Sequence, residues 1–334
     1  MSDDQYGMWA CLSLVYPPLS NQEADWVKTD PEVEEMLRGS DFYLIAIRDK
    51  VLFNERAITW DDEGWLNVPM HAGPDLRDVV SMDIETLAHD TLGRSPDSYT
   101  VSFGENRIIH LTEGGMDAAE AGSASLFEWF STEKMIFDRG RGLRGLRGLT
   151  RHRDFATYEL LYVGIATGGD TFDRLFADAH RARQSILTNE YPRSSGARVS
   201  DEMILFPFKV EPVQFRTLGP EDELMMTDAR TLRAYRKRVV ADVEKAFIKM
   251  LDPQYNIVKY KNYPRSRDGL WAHGYHRYGF ILAENITFTT PSARFVGSID
   301  PAMRGMVDNY ADMLMVEGQT VTQECGLPLP SAHM

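Results

Sequence analysis

Cysteine is nearly absent: Cys11 and Cys325 are the two in 334 residues, and they stand at opposite ends of the chain. Two thiols so placed supply neither a disulfide framework nor a cysteine-based zinc site, and they suit a reducing, cytoplasmic compartment. Long apolar runs are missing too. No window approaches the roughly 18 consecutive apolar residues a membrane helix takes, so no membrane partner is expected. The opening residues (MSDDQYGMWACLSLVYPP) are acidic where a secretory leader would be basic, and Ser13 breaks the apolar run Met8–Tyr16. What is present is an ordinary 43% hydrophobic content, enough for a sizeable core. The length leaves room for roughly two domains of about 150 residues each.

Basic excess is the next thing lacking. With 50 acidic and 36 basic residues the net charge is −14, which on its face disfavours a nucleic-acid partner. The distribution changes that reading. Residues 1–138 hold 27 acids and 9 bases, residues 139–300 hold 19 acids and 26 bases, and residues 301–334 hold 4 acids and 1 base. An acidic portion masks a mildly basic one, and such asymmetry points to two different jobs. The basic portion is what a phosphate-containing substrate would meet.

In the first portion, residues 20–38 read as helix broken at Pro31. Short β-forming runs follow: FYLIAI (42–47), VLF (51–53), AITW (57–60) and WLNVPM (65–70), the last two separated by the turn DDEG. A further strand pair is expected at 99–103 and 107–111, and a helix over 116–137. Nothing in residues 1–138 clusters ionisable groups in a catalytic pattern, so this portion reads as a recognition, regulatory or protein-contact domain. The segment DRGRGLRGLRGLTRHR (138–153) carries a small GLR repeat whose glycines disfavour helix. Its six arginines (139, 141, 144, 147, 151 and 153) suit either a phosphate backbone or a solvated linker, and the domain boundary is placed here. The expected division is thus 1–138, 139–300 and a C-terminal helix with tail over 301–334.

The second portion starts with the apolar strand YELLYVGIA (158–166) and the glycine turn TGGD. A helix is expected over 171–188, then a strand pair at 203–215 interrupted by Pro207 and Pro212, then a long helix from the cap Asp228 to Leu251. Residues 278–290 read as a strand or hairpin, and 301–317 as a methionine-bearing helix.

Three places carry candidate chemistry. Tyr162 lies at the end of a strand that runs into a glycine turn. On the following helix, Arg174 falls opposite the apolar stripe, Arg183 within it and His180 at its border. On the long helix, Glu244 sits at the edge of the face formed by Val240, Val243, Phe247 and Leu251. A surface glutamate usually pairs with a base three or four residues away, but Val240, Ala241, Phe247 and Ile248 occupy those positions. A carboxylate at such a rim can hold a hard cation together with water. Asn256 follows twelve residues later, beyond LDPQYN. Taken singly, each residue has a structural explanation: packing for a strand tyrosine, solvation for a helix charge. His273 and His276 in WAHGYHRYG lack a nearby carboxylate and read as packing or a nucleic-acid contact ahead of metal.

Taken together, strand Tyr162-Val163-Gly164, a glycine turn, a helix with FDRLF, and then EKAFIKMLDPQYN resemble the GIY-YIG nuclease superfamily over about residues 148–262. The resemblance implies an α+β fold in which a GIY-YIG-like small sheet is flanked by helices and preceded by the separate acidic α+β domain. It maps the second tyrosine motif to Tyr162, the helix arginine to Arg174, the glutamate to Glu244 and the asparagine to Asn256. The family's first tyrosine belongs ten to twelve residues before Tyr162, where Gly148–His152 has none. Thr150 or His152 stands there, or Tyr158 takes over the role, or the activity is altered. The family's helix histidine is displaced as well: Asp178 holds its place and His180 lies two residues on.

The implied chemistry is phosphodiester hydrolysis by an endonuclease, with DNA expected ahead of RNA, of the kind used in restriction or anti-phage defence. Glu244 would hold Mg²⁺ or Mn²⁺, and Tyr162, with its pKa lowered by the metal or by arginine, would serve as general base. Arg174 would neutralise the phosphate, Asn256 would orient the glutamate or a backbone segment, and His180 would assist. Arg183, Arg236, Lys259, Lys261 and Arg265, with interleaved Tyr255, Tyr260, Tyr263 and Trp271, would contact the nucleic acid. One active site per chain nicks one strand, so a double-strand cut would take a homodimer. The alternatives are a catalytically altered GIY-YIG-like module that binds nucleic acid or a nucleotide without cutting, and an unrelated α+β enzyme.

Overall fold

A computed structural model describes residues 6–105, 107–115, 125–166, 172–177, 180–216, 229–271, 275, 277–303 and 305–326. The chain divides into two compact units, one of Met1–Arg48, Thr157–Tyr191 and Arg198–Met334, the other of Asp49–Ala156 and Pro192–Ala197. The expected break at 138/139 is therefore displaced. Residues 49–156 are inserted between two strands of the first unit, and residues 1–48, with 9 acids and 3 bases, belong to that unit rather than to a separate acidic domain.

In chain order, the first unit begins with β1 (Tyr6–Leu14), β2 (Leu19–Ser20), α1 (Asn21–Val27), α2 (Pro31–Arg38) and β3 (Phe42–Ile47). Ser20 and Glu23 form a reciprocal capping box on α1, and Asp30 caps α2 just ahead of Pro31, as a helix start requires. The inserted unit holds β4 (Val51–Phe53), β5 (Thr59–Trp60), β6 (Leu66–Ala72), β7 (Leu76–Met82), α3 (Ile84–Leu92), β8 (Tyr99–Gly104), β9 (Ile108–Glu113), β10 (Ser125–Ser131), α4 (Thr132–Gly140) and β11 (Leu146–Gly148). Its sheets run β11-β7-β6-β4, with β5 on β6, and β10-β9-β8.

The helix expected over 116–137 is in part strand. Ser125–Ser131 pairs with β9, because LFEWF is rich in β-forming aromatics, and the helix starts only at Thr132 on the cap Ser131; residues 116–124 lie outside the described set. The arginine segment is not a linker, since it ends α4 and forms β11. Arg139 donates to the Gly148 carbonyl at 2.7 Å, Arg141 lies over Phe137, Arg147 pairs with Asp61 at 2.6 Å, and Arg151 pairs with Asp154 at 2.8 Å. These guanidinium groups are engaged inside their own unit.

The chain returns to the first unit with β12 (Thr157–Ile165), α5 (Arg181–Asn189), β13 (Met203–Arg216), α6 (Ala229–Leu251), β14 (Arg277–Leu282), β15 (Thr287–Thr289), β16 (Arg294–Val296), β17 (Ile299–Asp300), β18 (Met306–Val307), β19 (Met313–Glu317) and β20 (Thr320–Glu324). The helix expected over 171–188 is a short π turn, Asp173–Ala177, followed by α5, which His180 caps. The cap expected at Asp228 lies outside the described residues. The main sheet runs β16-β15-β12-β3-β13-β1-β14-β19-β20, with β2 on β13. It is a mixed ten-stranded sheet, larger than expected. The C-terminal helix expected at 301–317 is instead the buried strand β19, which adds to β14.

The two prolines do not divide β13. Pro207 sits between the stretches that pair with β2 and β1, and its carbonyl accepts from Val15, so its missing N–H falls in that gap. The missing N–H of Pro212 points toward the side where β3 has already ended. Along β3 the side chains alternate between two cores. Phe42 packs with Phe208 and with Phe247 of α6. Tyr43, Ile45 and Ile47 join Leu37, Leu161, Leu175 and Ile186 under α2 and α5.

Ile47 and Glu159 are paired across β3 and β12, so the inserted unit enters and leaves at one end of an antiparallel pair. Joining Arg48 to Thr157 through a short glycine-containing turn should leave a chain that melts in one cooperative transition with a β-rich circular dichroism spectrum. A broad, non-cooperative melt would show that the sheet depends on the insertion.

Candidate functional site

β12 carries a bulge between Leu160 and Tyr162, after which Tyr162 stands opposite Ile45 and Gly164 opposite Tyr43. Bulges re-aim side chains, and here Leu161 and Tyr162 both pack on the α5 side of the sheet. The Tyr43 ring lies over Gly164 so closely that a Cβ there would sit 2.4 Å from the tyrosine ring. The glycine of Tyr-Val-Gly is thus required by the neighbouring strand. Ring centroids are 6.1 Å apart for Tyr43 and Tyr162 and 5.4 Å for Tyr162 and His180.

These rings form an ordered hydrogen-bond chain. His180 Nδ1 accepts from the Arg183 backbone N–H at 3.1 Å as the cap of α5, so a neutral ring carries its proton on Nε2. Nε2 lies 2.8 Å from the Tyr43 hydroxyl and donates to it. Tyr43 in turn donates to Tyr162, an interaction that holds the Tyr43 proton on and favours ionisation of Tyr162. Burial, with help from Arg174 and Arg183, pushes the His180 pKa down to about 4, so the ring is neutral near pH 7.

β15 covers β12 only at Thr157–Glu159, so beyond that point the strand edge needs other partners. The turn after α6 supplies them. Tyr255 N–H donates to the Leu161 carbonyl at 3.0 Å. The Asn256 side chain accepts from Val163 N–H at 2.9 Å and donates to Val163 C=O at 2.8 Å, standing in for a peptide group of an absent strand. Asparagine fits because a single planar amide supplies both a donor and an acceptor.

This docking brings α5, α6 and the segment 254–260 around one cavity of about 530 Å³, lined among others by Tyr162, Arg181, Glu244, Asn256 and Tyr260. Glu244 is half-buried, and Tyr260 Oη donates to its Oε2 at 3.4 Å. Burial raises the Glu244 pKa against the opposing pull of Lys245, Tyr260 and Arg174. The Tyr260 pKa is pushed up to about 12 by burial and by that carboxylate. Arg174 is exposed, donates to the Ile165 carbonyl at 2.5 Å, and lies near enough to favour the anionic forms of both Tyr162 and Glu244. At Tyr162, however, burial outweighs it and the pKa is raised, contrary to the expected lowering by arginine.

Tyr162, Arg174, His180, Glu244 and Asn256 therefore come together. Tyr158 does not: fully buried, it packs on Phe206 and Phe288 beneath the Arg48 guanidinium. Thr150 and His152 belong to the inserted unit, where Thr150 donates to Asp78. Sequence reasoning missed Tyr43 and Arg181, and it named Tyr260 as a nucleic-acid contact where the structure makes it the partner of Glu244. Tyr43 is remote in sequence but lies in FYLIAI, which had been recognised as a strand.

Among the expected nucleic-acid contacts, Arg183 is turned inward, its Nε on Asn21 Oδ1 at 2.5 Å and its Nη1 on the Leu175 carbonyl at 2.8 Å. Arg236 pairs with Asp41 at 2.8 Å, Lys259 pairs with Asp252 at 2.8 Å, and Arg265 bonds to Gln319. Lys261 is exposed. His273 and His276 lie outside the described residues. Among the described residues no three histidine, cysteine or acidic side chains converge as a metal cage, and no helix is long and apolar enough to cross a membrane. No family model, curated protein or solved structure matches the chain.

Replacing Asn256 by alanine leaves the buried Val163 N–H and C=O without partners. It should cost about 2–4 kcal/mol of stability in urea unfolding; a loss under about 0.5 kcal/mol would remove the amide's bracing role. His180 has a second signature. Its folded pKa lies below the unfolded value of about 6.5, so the unfolded chain takes up the proton first and stability falls as pH drops from about 6.5 toward 4. Urea midpoints at pH 7, 6 and 5 should fall more steeply for the native protein than for His180→Asn; parallel slopes would sink the assignment.

Proposed function

We propose that the first unit is a metal-dependent nuclease of the GIY-YIG type, hydrolysing phosphodiester bonds in nucleic acid, with DNA the expected substrate. Carrying the proposal is one observation: Tyr162, Glu244 and Asn256, spread over 95 residues, line one cavity, Arg174 lies near enough to act on both Tyr162 and Glu244, and Tyr43 supplies a second phenol on the strand paired with Tyr162. In this reading Tyr43 takes the place of the first tyrosine, and the loop between the two tyrosine strands has become the inserted unit.

The donor set suits Mg²⁺ or Mn²⁺. Glu244 faces a roomy cavity with one oxygen weakly engaged by Tyr260, and magnesium commonly binds through one or two carboxylates while keeping its waters. When bound, such a cation would neutralise phosphate charge and favour hydroxide. The chain's own groups do the rest. The planar guanidinium of Arg174 matches two phosphate oxygens. Tyr162 Oη accepts the Tyr43 proton, which leaves its own O–H aimed away from Tyr43, toward water or a phosphate oxygen. Once ionised, that oxygen can take a proton from the attacking water, and the Tyr43 hydrogen bond steadies the phenolate. Asn256 keeps Tyr162 in register by fixing Val163.

Glu244 must be ionised to hold a cation, and burial raises its pKa, so activity should begin to climb above the usual carboxylate value of about 4.3. It should keep rising into the alkaline range as Tyr162 ionises. Plasmid, single-stranded DNA and RNA incubated with Mg²⁺, Mn²⁺ or EDTA should show metal-dependent cutting that Glu244→Gln abolishes. Cutting that survives the substitution would overturn the assignment. One observation favours a module that binds without cutting: burial outweighs Arg174 at Tyr162, so at neutral pH this side chain is a phenol. Retention of nucleic acid with no cleavage even at pH 9 would select that second reading.

A further inference from the structure

We infer that the cavity seats one unpaired nucleotide beside the scissile phosphate, with Arg181 on the flanking phosphate; this inference rests on the nuclease reading above. Helix α5 presents Arg181, Ser185 and Asn189 to the cavity, and their spacing of four places them along one stripe. Arg181 is exposed, and among the described residues no ion pair holds it. Its neighbour Arg183 is committed to Asn21 and Leu175. Among the described residues that line the cavity, Arg181 is therefore the cation placed to meet a phosphate, in the same lining as Glu244. Asn189 uses one of its two amide N–H groups on the Ser185 carbonyl at 2.8 Å, leaving its amide oxygen and the Ser185 hydroxyl for sugar or base edges.

The lining from the segment after α6 is of another kind. The Tyr255 hydroxyl donates to Glu190 at 2.7 Å, which fixes the ring against the cavity. At the rim, Ile257 is 87% and Val258 is 57% exposed. Two consecutive aliphatic side chains kept in water next to phosphate-handling groups are what a base face would cover, as apolar wedges do at opened base steps. A cavity of about 530 Å³ is in the range that holds one small organic group. A duplex is too wide to enter it, whereas a nucleotide turned out of its stack can. Turning a base out costs least where it is already unpaired or mismatched, so the cavity selects strands with an unpaired position.

The test uses the full-length protein and four probes: a duplex with one bulged 2-aminopurine, the same duplex fully paired, and the single strand as DNA and as RNA. Binding is read by anisotropy and 2-aminopurine emission in EDTA, and cutting by added Mn²⁺. Bulged and single-stranded probes should bind about tenfold more tightly than the paired duplex, with a change in emission as the base meets Tyr255. Arg181→Gln should weaken binding of every probe, and Ile257→Ser should reduce the preference to about twofold; both positions are exposed, and circular dichroism checks their folding. Preference on either sugar supports the subsite, since phosphate and base face are what it reads. Equal binding of paired and bulged duplexes, or variants that change nothing, overturns it, even if Mn²⁺-dependent cutting stands. Preference without cutting on any probe supports the subsite and counts against the nuclease reading.

Discussion

The candidate site depends on how one strand edge is closed. β15 leaves β12 after Glu159, and a strand edge exposed beyond that point would be both unsatisfied and prone to pair elsewhere. The turn that ends α6 closes it with one backbone bond from Tyr255 and the two-pronged amide of Asn256. Because that turn is tied to β12, the helix before it is tied as well. Glu244 is thereby delivered to the same cavity as Tyr162 although α6 packs, through Phe247 and Phe42, on the opposite face of the sheet from α5. An amide in the role of a missing strand joins both faces of the sheet at its edge.

Burial then sets the electrostatics. It holds His180 neutral and raises the pKa values of Tyr162, Glu244 and Tyr260, while Arg174 pulls the tyrosine and the glutamate the other way without prevailing. With His180 neutral, one tautomer satisfies both its capping bond and its bond to Tyr43, which gives the His180–Tyr43–Tyr162 chain a direction. A protonated ring could not accept from Arg183 N–H, so the cap would be lost while Nε2 could still donate to Tyr43. Half-desolvated groups in one concave place are the usual setting for tuned acid–base chemistry.

The insertion fits the same logic. Strands β3 and β12 form an antiparallel pair whose contacts suffice to hold Tyr43 over Gly164, so the connection between them is free to lengthen. The entropic cost of closing a loop grows slowly with its length, and a folded unit costs less than a flexible chain. Of the six arginines near the end of that unit, Arg139, Arg141, Arg147 and Arg151 engage its own carbonyl groups, rings and carboxylates, so these side chains are spent on structure.

Local pattern alone was enough to place α1, α2, β3, β12 and the end of α6, because caps, Pro31 and apolar periodicity act within a few residues. It also singled out Tyr162, Arg174, Glu244 and Asn256 through spacing near the turn LDPQYN. It failed where neighbours decide the outcome. Met313–Glu317 carries helix-compatible residues but is a strand because it pairs with β14, and the aromatics of Ser125–Ser131 take up strand pairing on β9. Arg183, expected to contact nucleic acid although it lies within the apolar stripe, braces α5, and Arg181 faces the cavity instead. Tyr43 could not be assigned from sequence at all. Its role comes from lying across a strand pair from Gly164, and pairing over more than a hundred residues leaves no mark in the local order of amino acids.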